Sequence, residues 1–472
     1  MHPVHRPTDT SRPALLDRLR QTADNPARRI LFTGATILTM DPALGTLDRG
    51  DLLVTGSTIT AVAPDLQSTG ATDDAIVVDA AGTLLLPGFI DTHRHAWQAQ
   101  LRRTIPDVDD LAGYLTTTLA RCAPAYLPED MYTGTRLAAL SAVDAGITTM
   151  LDFSHNSRSA EHSDAAVQAL LDTGIRGIHA AMAPHFGAWD RQWPADLARL
   201  RDCFAHPLLT FRLAALATDE IAGPGLAHGP ALARTARELG IGVSVDAVFG
   251  APSSRAILDW ARAGLLDEQV QLIHATGLSQ DTWRTIAATG ATVSLAPTSE
   301  PQIGLDSAVP AIDEALAVGV RPGLSIDVEV ALAGDMFTQM RTLLAIQRMR
   351  AVNATHTSGA PGPVPARIRT GDVLDFATLQ GAHTCGLGET TGSLTPGKQA
   401  DLLLLTVDEI NNLPLNDPTG TAVLGCDTRN IDTVLIAGQV RKWAGRLLDI
   451  DLPALRADAA ASRDRILRTA TG

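Results

Sequence analysis

The sequence predicts an α/β protein: a (β/α)8 barrel of the TIM type, accompanied by a small β-sandwich assembled from both terminal segments. Three observations carry that expectation. The middle of the chain alternates short apolar runs with amphipathic stretches, the signature of parallel strands joined by crossover helices. The two ends share a different, β-rich texture. Ionisable residues recur where the apolar runs of the middle stop.

In chain order, residues 1–29 read as a polar N-terminal extension with one short helix near Leu15–Leu19. From Arg29 onward, ILFTGATILTM, DLLVTGSTITAVA and AIVVDAAGTLLLPG are short apolar runs punctuated by Gly, Asp and Pro, as in hairpins of a small sheet. The same texture returns in DLLLLTVD and IDTVLIAGQVRKWAG, so residues 30–88 and 394–445 are expected to form one composite sandwich. Between them, 89–385 supplies the barrel, with candidate strands at Leu84–Asp91, Ile147–Asp152, Ile175–Ala181, Leu208–Ala214, Ile241–Asp246, Val270–His274, Ala291–Ala296 and Gly323–Asp327. Eight such units favour a closed barrel over an open doubly wound sheet. The stretch 353–370, rich in Gly and Pro, reads as a surface loop, and 446–472 as a C-terminal helical tail.

Composition narrows the function classes. With 45% hydrophobic and 19% charged residues, the 472-residue chain has ample material for a large core. The net charge is −14, and the only lysines are Lys398 and Lys442. No basic cluster suggests a nucleic-acid partner, and no apolar run is long enough to span a bilayer. Cys122, Cys203, Cys385 and Cys426 lie far apart, without a CxxC pair, which points to a reduced cytoplasm instead of a disulfide framework. The N-terminus has no continuous apolar core, so a secretory signal is not expected there.

Chemistry in such a barrel gathers at the C-terminal ends of its strands. The first strand runs into PGFIDTHRHAWQ, placing His93 and His95 two residues apart. In extended chain, residues two apart point the same way, so both imidazoles can converge on one ion. The fifth strand ends at Asp246, the sixth at His274 and the eighth at Asp327. One histidine in such a place is most often structural; several closing different strands reverse that balance.

PGFIDTHRH resembles the metal-binding signature PGFxDxHxH of the amidohydrolase superfamily, and GSLTPGKQADLLLLT resembles the superfamily's returning sandwich strand. The likeness extends from Arg29 to about Trp443 and is nearest to the chlorohydrolase and cytosine deaminase branch. It implies one divalent metal ion, zinc first, with iron or manganese compatible. By position, His93, His95 and Asp327 match metal ligands and His274 matches the sixth-strand histidine that orients water or substrate. The fourth strand, LLTFRLAAL, has no lysine to be carbamylated, which favours a single-metal site. The chain also departs from the branch. Where the branch carries a histidine followed three residues later by glutamate, this chain has Asp246 and Phe249. One ligand position is changed, and the usual proton-shuttling carboxylate is missing.

Asp246 is accordingly expected either to bind the metal, together with His93, His95, His274 and Asp327, or to accept a proton from substrate. Glu300, in APTSEPQIG after the seventh strand, is a candidate both for the missing shuttle and for substrate contact. Trp97, Gln98, His155 and His185 are expected at the substrate pocket, with capping of the barrel core the alternative for Trp97; Arg94 reads as packing or an ion pair, Glu329 as pocket floor or a structural pair, and His179 as packing. The leading expectation is a metal-dependent hydrolase of a C–N bond, deaminase or amidase-like, acting on a small cyclic molecule. In it His274 and Asp327 share the catalysis, Asp327 taking a proton from water and His274 polarising the electrophile. A lyase on the same fold (decarboxylase, dehydratase or cyclase) and a non-catalytic ligand-binding barrel are the alternatives. Resemblance to the superfamily further implies a homo-oligomer, most simply a dimer.

Overall fold

The computed structural model describes residues 11–69, 74–219, 223, 225–305, 307, 309–357 and 366–471. The chain divides into two compact units, Met1–Gly88 with Ser393–Leu448, and Phe89–Gly392 with Asp449–Gly472.

In the first unit, both terminal segments contribute to one continuous nine-stranded sheet. Arg29–Leu38 lies at its centre, antiparallel to Thr46–Thr55 and parallel to Ile76–Asp79 and Thr83–Pro87. Thr83–Pro87 pairs antiparallel with Leu402–Thr406, the seam where the two ends of the chain meet. Alternation sends Ile30 and Phe32 into the core; a register shift between Phe32 and Ala35, where Gly34 adopts φ 73°, restores Ala35 and Ile37 to the same face. Leu19, only 1% exposed, joins this core from the helix Ser11–Gln21. Residues 11–29 therefore belong to the unit instead of extending from it, because that helix has an apolar side to bury; residues 1–10 lie outside the described residues.

The second unit is the barrel. Its strands are β1 (Phe89–Arg94), β2 (Ile147–Ser154), β3 (Arg176–Ala181), β4 (Leu209–Leu216), β5 (Gly242–Asp246), β6 (Val270–Ile273), β7 (Thr292–Leu295) and β8 (Gly323–Leu324). Each is parallel to its neighbour in sequence. A bridge between Arg94 and Asp327 closes the ring, with Asp327 N donating to the His93 carbonyl and His95 N to the Asp327 carbonyl. The expected first strand, Leu84–Asp91, is in fact two. Leu84–Leu86 pair with Leu403–Leu405 in the other sheet, and the chain restarts at Phe89, whose N–H donates to Gly146 O. Apolarity ran unbroken across Gly88, so the sequence pattern carried no sign of the change of partner.

Around the mouth, the turn Ala96–Leu101 lies against the helix Pro128–Asp144, where a Cβ on Gly134 would collide with the Trp97 carbonyl. The C-terminal helix Leu452–Thr471 packs on this side of the same unit: Ile466 is fully buried, and Ser462 donates to Asp130 at 2.6 Å. The expected tail at 446–472 is thus split, with Arg446–Leu447 forming a strand of the nine-stranded sheet and the helix belonging to the barrel unit. Of the expected loop at 353–370, residues 353–357 continue the helix Met336–Thr357, and 358–365 lie outside the described residues.

Candidate active site

Strand ends bring the polar residues together. β1 is entirely buried, and its last residues carry His93 and, one step beyond, His95. Two sequence-distant residues adopt left-handed backbone to reach the same mouth: His274 with φ 65° just after β6, and Asp327 with φ 68° after β8. Non-glycine residues there are strained by roughly 1–3 kcal/mol, and here the strain turns two ionisable side chains toward one point.

That point is the Asp327 carboxylate. The Nε2 atoms of His93 and His95 both lie 3.2 Å from Asp327 Oδ1. Ligand atoms of these three residues all fall within 4.8 Å of one another. Asp246 and His274, expected among the metal ligands, stand outside this trio: His274 Nε2 is 3.6 Å from Asp246 Oδ1 and 3.7 Å from Asp327 Oδ2.

His95 decides what the trio suits. Its Nδ1 lies 3.0 Å from the Phe153 carbonyl, which can only accept, so Nδ1 carries the hydrogen. Nε2 is then the ring atom turned to the Asp327 carboxylate, the nitrogen through which His95 would bind a cation shared with that oxygen. Two imidazoles and one carboxylate, with room for a further ligand, also match the donor set of catalytic zinc sites.

Around the trio, charges are sharply sorted. Burial alone would raise the Asp327 carboxyl, but its contacts with His93 and His95 and the nearby His274 hold it well below its ordinary value. Ser299 also donates to Asp327 Oδ2, occupying the oxygen that faces away from the histidine pair. Burial lowers His93, against the opposing pull of Asp327. Burial likewise disfavours charge on His274, yet its bond to Glu300 and the Asp327 and Asp246 carboxylates raise it to about 9. His155 is held well below its usual value by burial and by His95 and His185; His185 is pushed down to about 3 by burial and His95.

A cavity opens beside the trio. His95, His155, His185, Asp246, His274 and Asp327 line it together with Tyr114 and an apolar wall that includes Leu115, Leu119, Val248 and Ile303. His155 stacks edge-on against His95, ring centroids 4.1 Å apart, and His185 against His155 at 5.0 Å.

Three residues expected at the pocket sit one layer behind it. Trp97 is fully buried and packs edge-on against Tyr126 and His155 at 4.8 and 5.3 Å. Gln98 is equally buried and donates to the Tyr114 hydroxyl at 2.7 Å. Glu300 is also fully buried: it accepts from Ala296 N at 2.9 Å and lies 3.3 Å from His274 Nδ1, away from the cavity lining. The tight turn Ala96–Leu101 rolls Trp97 and Gln98 inward, and the short helix Ser299–Gln302 tucks Glu300 under His274. Arg94 pairs with Asp91 at 2.9 Å and with Glu329 at 3.4 Å, and Glu329 also pairs with Arg102. His179 Nδ1 meets Asp152 at 3.2 Å inside the barrel. Sequence reasoning missed Tyr114 and Ser299. Nothing in LAGYL marks a pocket tyrosine, whereas Ser299, adjoining Glu300 after a strand, carried a weak positional signal.

A closed parallel barrel with a buried His–His–Asp cluster at its mouth, a group that could hold a metal ion, defines the class: a barrel enzyme with a candidate metal site. The model of the Amidohydrolase family matches residues 84–216 and 236–441, and the chain belongs to that family. It is a metal-dependent hydrolase of that family. Among its relatives is the 5-methylthioadenosine/S-adenosylhomocysteine deaminase of Nitratidesulfovibrio vulgaris, 28% identical over 93% of this chain and 98% of the relative. The enzyme of the same name from Pyrococcus furiosus is 24% identical, over 86% and 94% of the two chains. In fold, the chain is similar to a zinc-bound adenosine deaminase from Xanthomonas campestris, with TM-score 0.79, 21% identity and coverage of 93% and 98%. It is also similar to the zinc complex of atrazine chlorohydrolase from Arthrobacter aurescens, with TM-score 0.78, 21% identity and coverage of 92% and 100%.

Proposed function

We propose that this protein is a hydrolytic deaminase that removes an amino group from an amidine-type ring carbon, using one divalent ion, zinc, held by His93, His95 and Asp327. The observation that carries the reading is the His95 ring, with acceptors at both nitrogens, 3.0 Å from the Phe153 carbonyl and 3.2 Å from Asp327. Zinc is the ion named for two similar structures, the Xanthomonas adenosine deaminase and the Arthrobacter chlorohydrolase. When bound, the ion supplies Lewis acidity, which makes water nucleophilic near neutral pH.

The remaining work falls to the chain's own side chains. His274, made more basic by its carboxylate neighbours and fixed by Glu300 through Nδ1, donates from Nε2 to the substrate atom on which negative charge grows. Asp246 faces the same cavity and takes the proton released by attacking water, then returns it to the leaving nitrogen. Asp327 is less suited to that task, because Ser299 already donates to one of its oxygens and the histidines crowd the other. Neutral His155 and His185 line the pocket as hydrogen-bonding walls without adding charge. Glu300 acts through His274 and does not touch substrate.

The absent glutamate at position 249 raised a lyase as an alternative; a cavity-facing carboxylate at Asp246 supports hydrolysis instead. The test is ammonia release from a panel of amino-substituted rings in labelled water, with and without zinc. Zinc-dependent ammonia and one labelled oxygen in the product are expected. Product formed without labelled oxygen would establish the lyase.

A further inference from the structure

The end of β5 carries one carboxylate and, three residues on, one apolar ring. Attack of water on an amidine carbon needs a proton on the nitrogen that receives electrons. At position 249 the chain has Phe249, part-buried against the apolar cluster at the barrel mouth, which has no proton to give. Three residues earlier stands Asp246, a carboxylate that lines the cavity with its side chain 19% exposed. Its Oδ1 is buried without a hydrogen-bond partner, the nearest cationic group being His274 at 3.6 Å. Among the described residues lining the cavity there are two carboxylates, Asp246 and Asp327, and no arginine or lysine. The end of β5 thus gives the pocket a carboxylate oxygen without a hydrogen-bond partner and, at 249, no proton donor.

Resting on the deaminase reading above, we propose that the substrate is cationic: a planar amidinium or guanidinium unit, within or attached to an apolar ring, held by Asp246 with the ring against Leu115, Leu119, Val248 and Ile303. Such a group already carries the proton that a neutral aminopurine-type ring has to be given, so no residue at 249 is needed to supply it. A planar N–H fork facing a carboxylate is also the geometry in which charge-assisted hydrogen bonds pair best. The step balances. Water oxygen bonds to the central carbon while one water proton passes to Asp246. That proton moves to the departing nitrogen as the C–N bond breaks, and the hydroxyl proton left on carbon is released as the carbonyl forms. Amidinium and water thus give amide and ammonium; guanidinium and water give urea and ammonium.

The probes are benzamidinium and its neutral isostere benzamide, titrated calorimetrically into the full-length zinc-loaded protein. Benzamidinium is expected to bind about tenfold or more tightly than benzamide. Asp246→Asn should abolish the difference, and Asp246→Glu, which keeps the charge, should retain it. Melting temperature and zinc content recorded for each variant show that the comparison is between folded, loaded proteins. Equal binding of both probes by the wild type, or a benzamidinium preference surviving in folded Asp246→Asn, overturns the proposal. Ammonia release is measured in parallel from benzamidinium and from the neutral ring amidine 5-methylthioadenosine. Release from the neutral compound without benzamidinium preference overturns the cationic substrate and leaves the deaminase reading standing. Preference for benzamidinium without ammonia release from any cationic or neutral ring amidine upholds the pocket chemistry and sinks the deaminase reading.

Discussion

Replacing Glu300 with glutamine leaves an oxygen to accept the His274 Nδ1–H and removes the charge behind it. In the native protein Glu300, Asp327 and Asp246 overcome burial and raise His274 from 6.5 to about 9. That rise corresponds to roughly 3 kcal/mol in favour of the imidazolium, net of the burial that opposes it. The three carboxylates together therefore contribute more than that net figure, and the Glu300 hydrogen bond is assigned about 1–2 kcal/mol of it. In Glu300→Gln the His274 midpoint should therefore fall by about one pH unit. The sign for stability follows from the direction of the shift. A histidine raised on folding stabilises the fold fully below 6.5, and that stabilisation is lost as pH rises through about 9. The variant should consequently be less stable than wild type near about pH 6 and nearly equal to it near about pH 10. Imidazole nitrogen NMR on metal-free protein reads the midpoint, and urea unfolding at the two pH values reads the stability. An unchanged midpoint in the variant would refute the claim that Glu300 holds the charge on His274.

Three further perturbations test other parts of the site. His93→Ala with His95→Ala removes two of the three converging ligands, so elemental analysis should find no zinc in the purified double variant; stoichiometric metal there would dismiss the trio. Ser299→Ala frees the Asp327 oxygen that Ser299 now bonds and should weaken metal affinity about 10–100-fold in a chelator competition. Unchanged affinity would make that hydroxyl a bystander. Arg94→Met leaves Asp91 and Glu329 without the guanidinium that pairs both, which should cost about 3–5 kcal/mol in urea unfolding.

Much of this organisation was legible in the sequence because period and position are local properties. Apolar runs in alternation with amphipathic ones marked barrel strands, and HxH spacing in extended chain put two imidazoles on one side. Side chains two or more contacts from the reacting point were harder to judge. Trp97 and Gln98 immediately follow the ligands, so adjacency suggested the pocket; the turn Ala96–Leu101 instead rolls both into the core. Glu300 was recognisable as a candidate carboxylate, but whether it faced substrate or another side chain depended on the helix Ser299–Gln302 that seats it under His274.

The sequence by itself determined the barrel, the HxH motif and the presence of Asp246 and Phe249 at the end of the fifth strand, since each is written in residue identity and spacing. Only the tertiary structure decided that Leu84–Leu86 leave the barrel for the other sheet and that Glu300 lies against His274. It also decided that Asp246 lies outside the His93–His95–Asp327 trio. The reason is physical: strand partners, burial and charge depend on groups far apart in the chain. Asp327 meets His93 across 234 positions, and no local pattern encodes which of two carboxylates arrives.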